Sequence, residues 1–227
     1  MQLPLPQSIS DHRPPYHLAE VIETTSTDFL AQCLEPEDLS FPVMPPFGSW
    51  VKAVDEESGN TIVAVVSYVT TSPIDSIHRA RALGLSLHEL REQQPQIFAM
   101  LKTEFRAAIL GFEVPARSRN GNLKQQRGQI YHYLPPRPPQ IHQAVYQCDR
   151  EDLIHFTEKP DFLRILLQVK DAPVDALIAA VIRDIYTLRK CDRPWLVMLG
   201  RNLSLLLKDD YDRLHYILSQ IMPNPGL

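Results

Sequence analysis

Up to Pro160 the apolar residues of this chain alternate with polar ones or gather in short β-branched runs; beyond it they recur at intervals of three and four. The first pattern predicts strands and the second helices. HLAEVIETTSTDFLAQC (His17–Cys33) reads as a strand, a polar turn at Thr24–Asp28, and a second strand. FGSWVKAVDEESGNTIVAVVSYV (Phe47–Val69) reads as another hairpin, turning at Asp55–Asn60. Its second arm, TIVAVVSYV, is apolar on both faces. Such a strand has no solvent side, as expected for a stave of a small closed barrel whose outer face is also covered.

Further along, GLSLHELREQQPQ carries Ser86-x-x-Glu89, the spacing of a capping box, in which two side chains satisfy the free amides of a first helical turn. After Pro95, QIFAMLKTEF is read as a further helical turn or two, and AAILGFEV (Ala107–Val114) as the next strand. PARSRNGNLKQQRGQ has no acid and almost no bulky apolar residue, so it is expected to be an exposed loop. QIYHYL reads as a strand, LPPRPP as a polyproline-type connector, QIHQAVYQCD as the last barrel strand and DREDLIHFTE as a closing helical turn.

Past Pro160, Val174, Leu177, Ile178, Val181, Ile182, Ile185 and Leu188 repeat along one helix face. Pro173 precedes that helix and Arg189–Lys190 end it, where positive charge suits the helix dipole. Pro194 opens another helix, and Asp209 and Asp210 begin a last one carrying Leu214, Ile217, Leu218 and Ile221. The fold class expected is α+β: a small closed N-terminal β-barrel with an inserted helical segment, then an all-helical C-terminal region. Residues 1–14 are expected to be a flexible arm, 15–158 the barrel and 159–227 the helical domain.

Composition narrows the chemistry. The net charge is −4, so nothing global draws the chain to nucleic acid or an anionic membrane. Proline outnumbers glycine, 20 to 8, the reverse of ordinary usage, which suits rigid connectors and leaves little material for phosphate-cradling loops. No Gly-x-x-x-x-Gly-Lys-Ser/Thr run and no Gly-x-Ser-x-Gly elbow occurs. Cys33, Cys148 and Cys191 are odd in number and share no metal spacing, which predicts a reducing compartment. The first residues do not read as a signal peptide and no apolar run is long enough for a membrane span, so the expectation is a soluble, cytoplasmic protein.

The candidate chemical groups have plain structural readings as well. His132 and His142 lie on neighbouring strand segments but lack a third ligand at any zinc spacing, and no metal or other cofactor is expected. Glu56–Glu57 and Asp209–Asp210 are read as a solvated turn and a helix start. Arg117, Arg119, Lys124 and Arg127 concentrate positive charge in one loop. That loop either contacts phosphates or an acidic partner, or is kept soluble by its charge. LPPRPP either serves proline-binding modules or stiffens the approach to a strand.

Three stretches resemble the HAS-barrel family, the small barrel at the N-terminus of HerA-type DNA-translocating ATPases and of the ATP synthase α and β subunits. LAEVIETTSTDFLAQCL is similar to the opening strand pair. GSWVKAVDEESGNTIVAVVSYV is similar to the central hairpin, with Ala64 where the family often has glycine. LPPRPPQIHQAVYQCDREDLIHF resembles the proline-rich approach, closing strand and following turn, and QPQIFAMLKTEFRAAILGFEV fits the insertion and third strand between them. Beyond Glu158 the likeness stops. In general build the chain also resembles cyanobacterial proteins without the ATPase core. The resemblance implies association rather than catalysis, because the family's barrels stand side by side in rings. The expected function is therefore a non-enzymatic assembly or docking module that homo-oligomerises through its barrel and binds a protein partner. Val63, Val65 and Tyr68 are the expected contact strand, and no catalytic residue is expected. The alternative is a nucleic-acid-associated adaptor of a translocase that uses loop 117–127.

Overall fold

The computed structural model of the chain describes residues 16–35, 43–74, 82–116 and 127–221; the expected arm at 1–14 lies outside them. Both hairpins form where alternation places them. β1 (His17–Thr24) and β2 (Asp28–Cys33) pair antiparallel. Thr25 closes their turn, its Oγ1 accepting from the Asp28 amide at 3.1 Å. β3 (Trp50–Val54) and β4 (Thr61–Pro73) pair around Asp55, whose carboxylate accepts from Ser58 Oγ at 2.6 Å and from the Glu57 amide at 3.2 Å.

The segment QIFAMLKTEF departs from the helical expectation. Only α2 (Gln96–Ala99) is helical, and β5 (Leu101–Val114) has already begun. Thr103, Phe105 and Ala107 alternate inward there, and β4 runs past Val69 to Pro73 to supply a ladder for them. A completed ladder satisfies every backbone group, which a weak helix propensity does not offset. The Thr71 and Thr103 hydroxyls meet across that extension at 2.8 Å.

β6 (Gln129–Tyr131) joins the far end of β5, and β7 (Ala144–Gln147) slots between β1 and β3. Because β5 pairs with β2 as well as β4, the ring closes in the order β2-β1-β7-β3-β4-β5. The result is a closed six-stranded antiparallel barrel with β6 appended. Its interior is filled by Val21, Phe29, Val51, Ile62, Ala64, Val66, Phe105, Ile109 and Val145.

The helices follow their sequence signals closely. α1 (Leu87–Gln93) carries the Ser86/Glu89 capping box, and α3 (Arg150–Phe156) has its own in Asp149 and Asp152. α4 (Phe162–Leu166) is followed by α5 (Val174–Leu188), α6 (Arg193–Leu206) and α7 (Tyr211–Ile221). Asp192 caps α6, accepting from the Trp195 amide at 3.2 Å, and Asp210 accepts from the Arg213 amide at 3.1 Å where α7 begins.

A second core joins the two regions. Trp50, Val63, Val65, Ala108 and Leu110 on the outer face of the barrel cluster with Phe156, Phe162, Leu166, Leu177, Ile178 and Val181 from the helices. Trp50 meets Phe156 and Phe162 edge-on at 5.7 and 5.8 Å between ring centres. The helical region therefore shares its core with the barrel across the expected boundary at 158/159.

Polar clamps hold the helices in place. Arg189 donates to the Ile154 carbonyl at 2.7 Å and the Thr157 hydroxyl at 3.1 Å while its guanidinium lies 4.9 Å from the Trp195 ring centre. Trp195 in turn donates its indole N–H to the Thr157 carbonyl at 2.9 Å.

Candidate interaction surfaces and the groove beside the barrel

Alternation along β4 sorts its side chains. Ile62, Ala64 and Val66 point into the barrel, while Val63 and Val65 point outward. The outward pair is not free: Val63 is 5% exposed and Val65 fully buried, both in the core shared with the helices. The expectation that they meet a second subunit is corrected here. A strand apolar on both faces needs a cover, and helices of the same chain supply it. Tyr68, beyond a bulge that breaks the register between Val66 and Tyr68, is 56% exposed.

Tyr68 belongs to a wall the helices leave bare. Ile22, Leu30 and Gln32 are half-buried on the strands β1 and β2 of this wall. Arg106 on β5 pairs with Asp28 and lies 3.6 Å from Glu23, tying three strands together on the outside of the barrel.

Between that ion pair and α4 runs a groove of about 1080 Å³. Its floor is Ala108, with Ser67 at the bulge donating its hydroxyl to the Arg106 carbonyl at 3.2 Å. Arg164, Ile165, Gln168 and Lys170 line the helical side, and His132 and Leu134 line one end. No local sequence signal reveals this site, because its lining is drawn from Thr27 through Asp171.

His132 turns its ring against Phe156 and Phe162. Its Nε2 lies 2.9 Å from the Phe156 carbonyl, which can only accept, so the neutral ring carries its proton on that nitrogen. Burial holds its pKa below the ordinary value, and the carbonyl and Asp161 offset only part of that. His142 sits exposed in a left-handed turn before β7, and the two histidines do not form a common site. Among the described residues no His/Cys/Asp/Glu group has the makings of a metal site. Burial pushes the Cys33 thiol up to about 12 and the Cys148 thiol higher still, so both remain protonated near neutral pH.

The remaining candidates acquire structural partners. Arg127 lies 3.2 Å from Glu151 at the start of α3; Arg117, Arg119 and Lys124 lie outside the described residues. Arg137 of LPPRPP pairs with Glu57 and, at 3.4 Å, with Asp55, fastening the connector to the β3–β4 turn. Glu57, read from sequence as a solvated tip, is thus half of a clamp, and the Arg137 hydrogen bond holds its carboxyl below the usual range. Lys52 pairs with Asp152 and, at 3.8 Å, Asp149. Burial there works to lower the Lys52 pKa, but the Asp152 hydrogen bond and charge outweigh it and the value is raised.

No helix of the described residues is long and apolar enough to cross a membrane. No curated protein matches the chain. A family model does match: the HAS barrel domain, over residues 18–114. That span holds β1 from Leu18 onward together with β2, β3, β4 and β5, while the stave β7 that completes the ring lies beyond it. The matched strands and β7 together form the closed antiparallel barrel, and residues 18–114 of this chain are similar to the HAS barrel domain.

Proposed function

We propose that this chain is a non-enzymatic assembly module, in which the barrel wall left bare by its own helices meets another copy of the chain and a further surface docks a protein partner. The observation that supports this reading is the division of the barrel exterior. One wall is sealed by the helices through Trp50, Val63 and Val65, while the other carries Tyr68 exposed among half-buried Ile22 and Leu30. Two carboxylates and a guanidinium beside Tyr68 provide a polar rim around that apolar centre, the usual anatomy of an association surface. The non-enzymatic part rests on the titratable groups with shifted pKa values. Lys52, Asp55, Glu57 and Asp149 each spend their charge on a partner that fastens one element to another or caps a turn.

Light scattering across a concentration series tests the contact. Wild-type chain is expected to exceed monomer mass at tens of micromolar, and Tyr68→Asp to return it to monomer. Burying one large apolar side chain contributes roughly 1.5–3 kcal/mol, enough for a charge at its centre to dissociate a modest interface. A wild-type chain that is monomeric throughout removes the self-association reading. The adaptor alternative predicts instead a steep loss of nucleic-acid binding with salt, and charge reversal at Arg117, Arg119 and Lys124 is the variant that tests it.

A further inference from the structure

The groove beside the barrel combines features that the assembly reading does not use. Its barrel side is electrically settled, because Arg106 is paired with Asp28 and lies close to Glu23. Its helical side is not. Arg164 and Lys170 line the groove, and among the described residues neither has an ion-pair partner. Asp171 is the one carboxylate on that side of the lining, where the chain reverses through a left-handed conformation. The lining as a whole thus sets three cations, Arg106, Arg164 and Lys170, against two carboxylates, Asp28 and Asp171, on a protein whose net charge is −4.

Between these cations the surface is apolar. Ala108 forms the floor, and Leu134, Ile165 and Val169 stand around it. A volume near 1080 Å³ lies just above the range that small-molecule sites occupy, roughly 300–1000 Å³, and leaves room for such a ligand. An apolar trough with a few convergent polar groups is the common design of such sites. A bulged strand at the rim, here between Val66 and Tyr68, is a frequent companion of them.

We propose that this groove binds a small organic anion, with a carboxylate or phosphate held by Arg164 and Lys170 and an apolar body lying over Ala108 between Leu134 and Ile165. The guanidinium of Arg164 offers two parallel donors to either head group, and Lys170 adds a point charge. The apolar body supplies the affinity that two exposed cations alone would not, since charges at a rim are screened by salt.

Calorimetric titration of the full chain with three probes of one shape tests this: 1-naphthyl phosphate, 1-naphthoate and the neutral 1-naphthol. One or both anions are expected to saturate at a single site per chain, and the stronger of the two identifies the head group. The double variant Arg164→Gln/Lys170→Gln is expected to weaken that binding by at least about tenfold, the loss expected for charge-assisted hydrogen bonds. Both side chains are exposed, so an unchanged circular-dichroism melt is expected to show the fold intact. Lys208→Gln, a surface cation outside the groove, is the control and is expected to bind as wild type. Naphthol binding as tightly as the anions, the double variant retaining full affinity, or no saturation by either anion at millimolar concentration would each overturn the proposal.

Discussion

His132 illustrates how a single residue changes meaning once its neighbours are known. In the sequence it is one of eight histidines, placed on a strand-like segment near His142 but with no third ligand at any zinc spacing. In the fold its ring packs on two phenylalanines and donates to a backbone carbonyl, a structural histidine kept neutral by burial. The consequence for stability has a definite sign. With its folded pKa below the ordinary value near 6.5, the unfolded chain takes up the proton first as pH falls. The contribution of neutral His132 is therefore complete above the unfolded pKa and is lost as pH drops through and below it. Denaturant midpoints measured from about pH 7 to about pH 5 are expected to fall more steeply for wild type than for His132→Gln, which can still donate to Phe156 but does not titrate. Parallel profiles would show that the ring is not held neutral.

At the scale of elements, the contact between barrel and helices turns on a close approach at Gly48. This glycine, at φ +82°, lies two residues before β3, and its amide donates to the Val66 carbonyl at 2.8 Å. A Cβ there would stand 2.7 Å from the Cβ of Ala180 on α5, so the absence of a side chain sets how near the helix can lie. Gly48→Ala meets both a left-handed backbone and an occupied space. The expected cost is about 2–4 kcal/mol, read as a lowered denaturant midpoint with the barrel strands retained. A loss within a few tenths of a kcal/mol would mean that α5 moves aside freely. The limits of β5 carry a related lesson. Its first five residues read as helix when taken with Gln96–Ala99, and become strand because β4 extends to pair with them. Local propensity is weak beside a ladder that satisfies every backbone group.

For the whole molecule, the two cores make different demands. The barrel interior draws only on its own strands, whereas the second core sets a few residues of the barrel wall against many from the helices. A chain ended at residue 160 is expected to keep its strands but to expose Trp50, Val63, Val65 and Leu110 as one apolar patch. Patches of that kind drive association. The fragment should bind a hydrophobic dye and grow in mass with concentration while its far-ultraviolet β signal persists. A fragment that stays monomeric and dye-silent would contradict the shared core, and one that is unfolded would show that the strands depend on it.

The periodicity of apolar residues was enough to locate both hairpins, the Val174–Leu188 helix and the change of character at Pro160, because alternation and the three-four repeat are local consequences of backbone geometry. Caps at Ser86 and Asp210 were equally legible, since their partners lie within one turn. What covers Val63 and Val65 was not legible: an apolar outer face states that something must bury it without stating what. The same holds for the pairing of Glu57 with Arg137 and for the groove, whose lining is gathered from strands, a loop and a helix far apart in the chain. Those assignments depend on the closure of β5 onto β2 and the docking of α5 at Gly48, and only the tertiary structure decides where such long-range contacts fall.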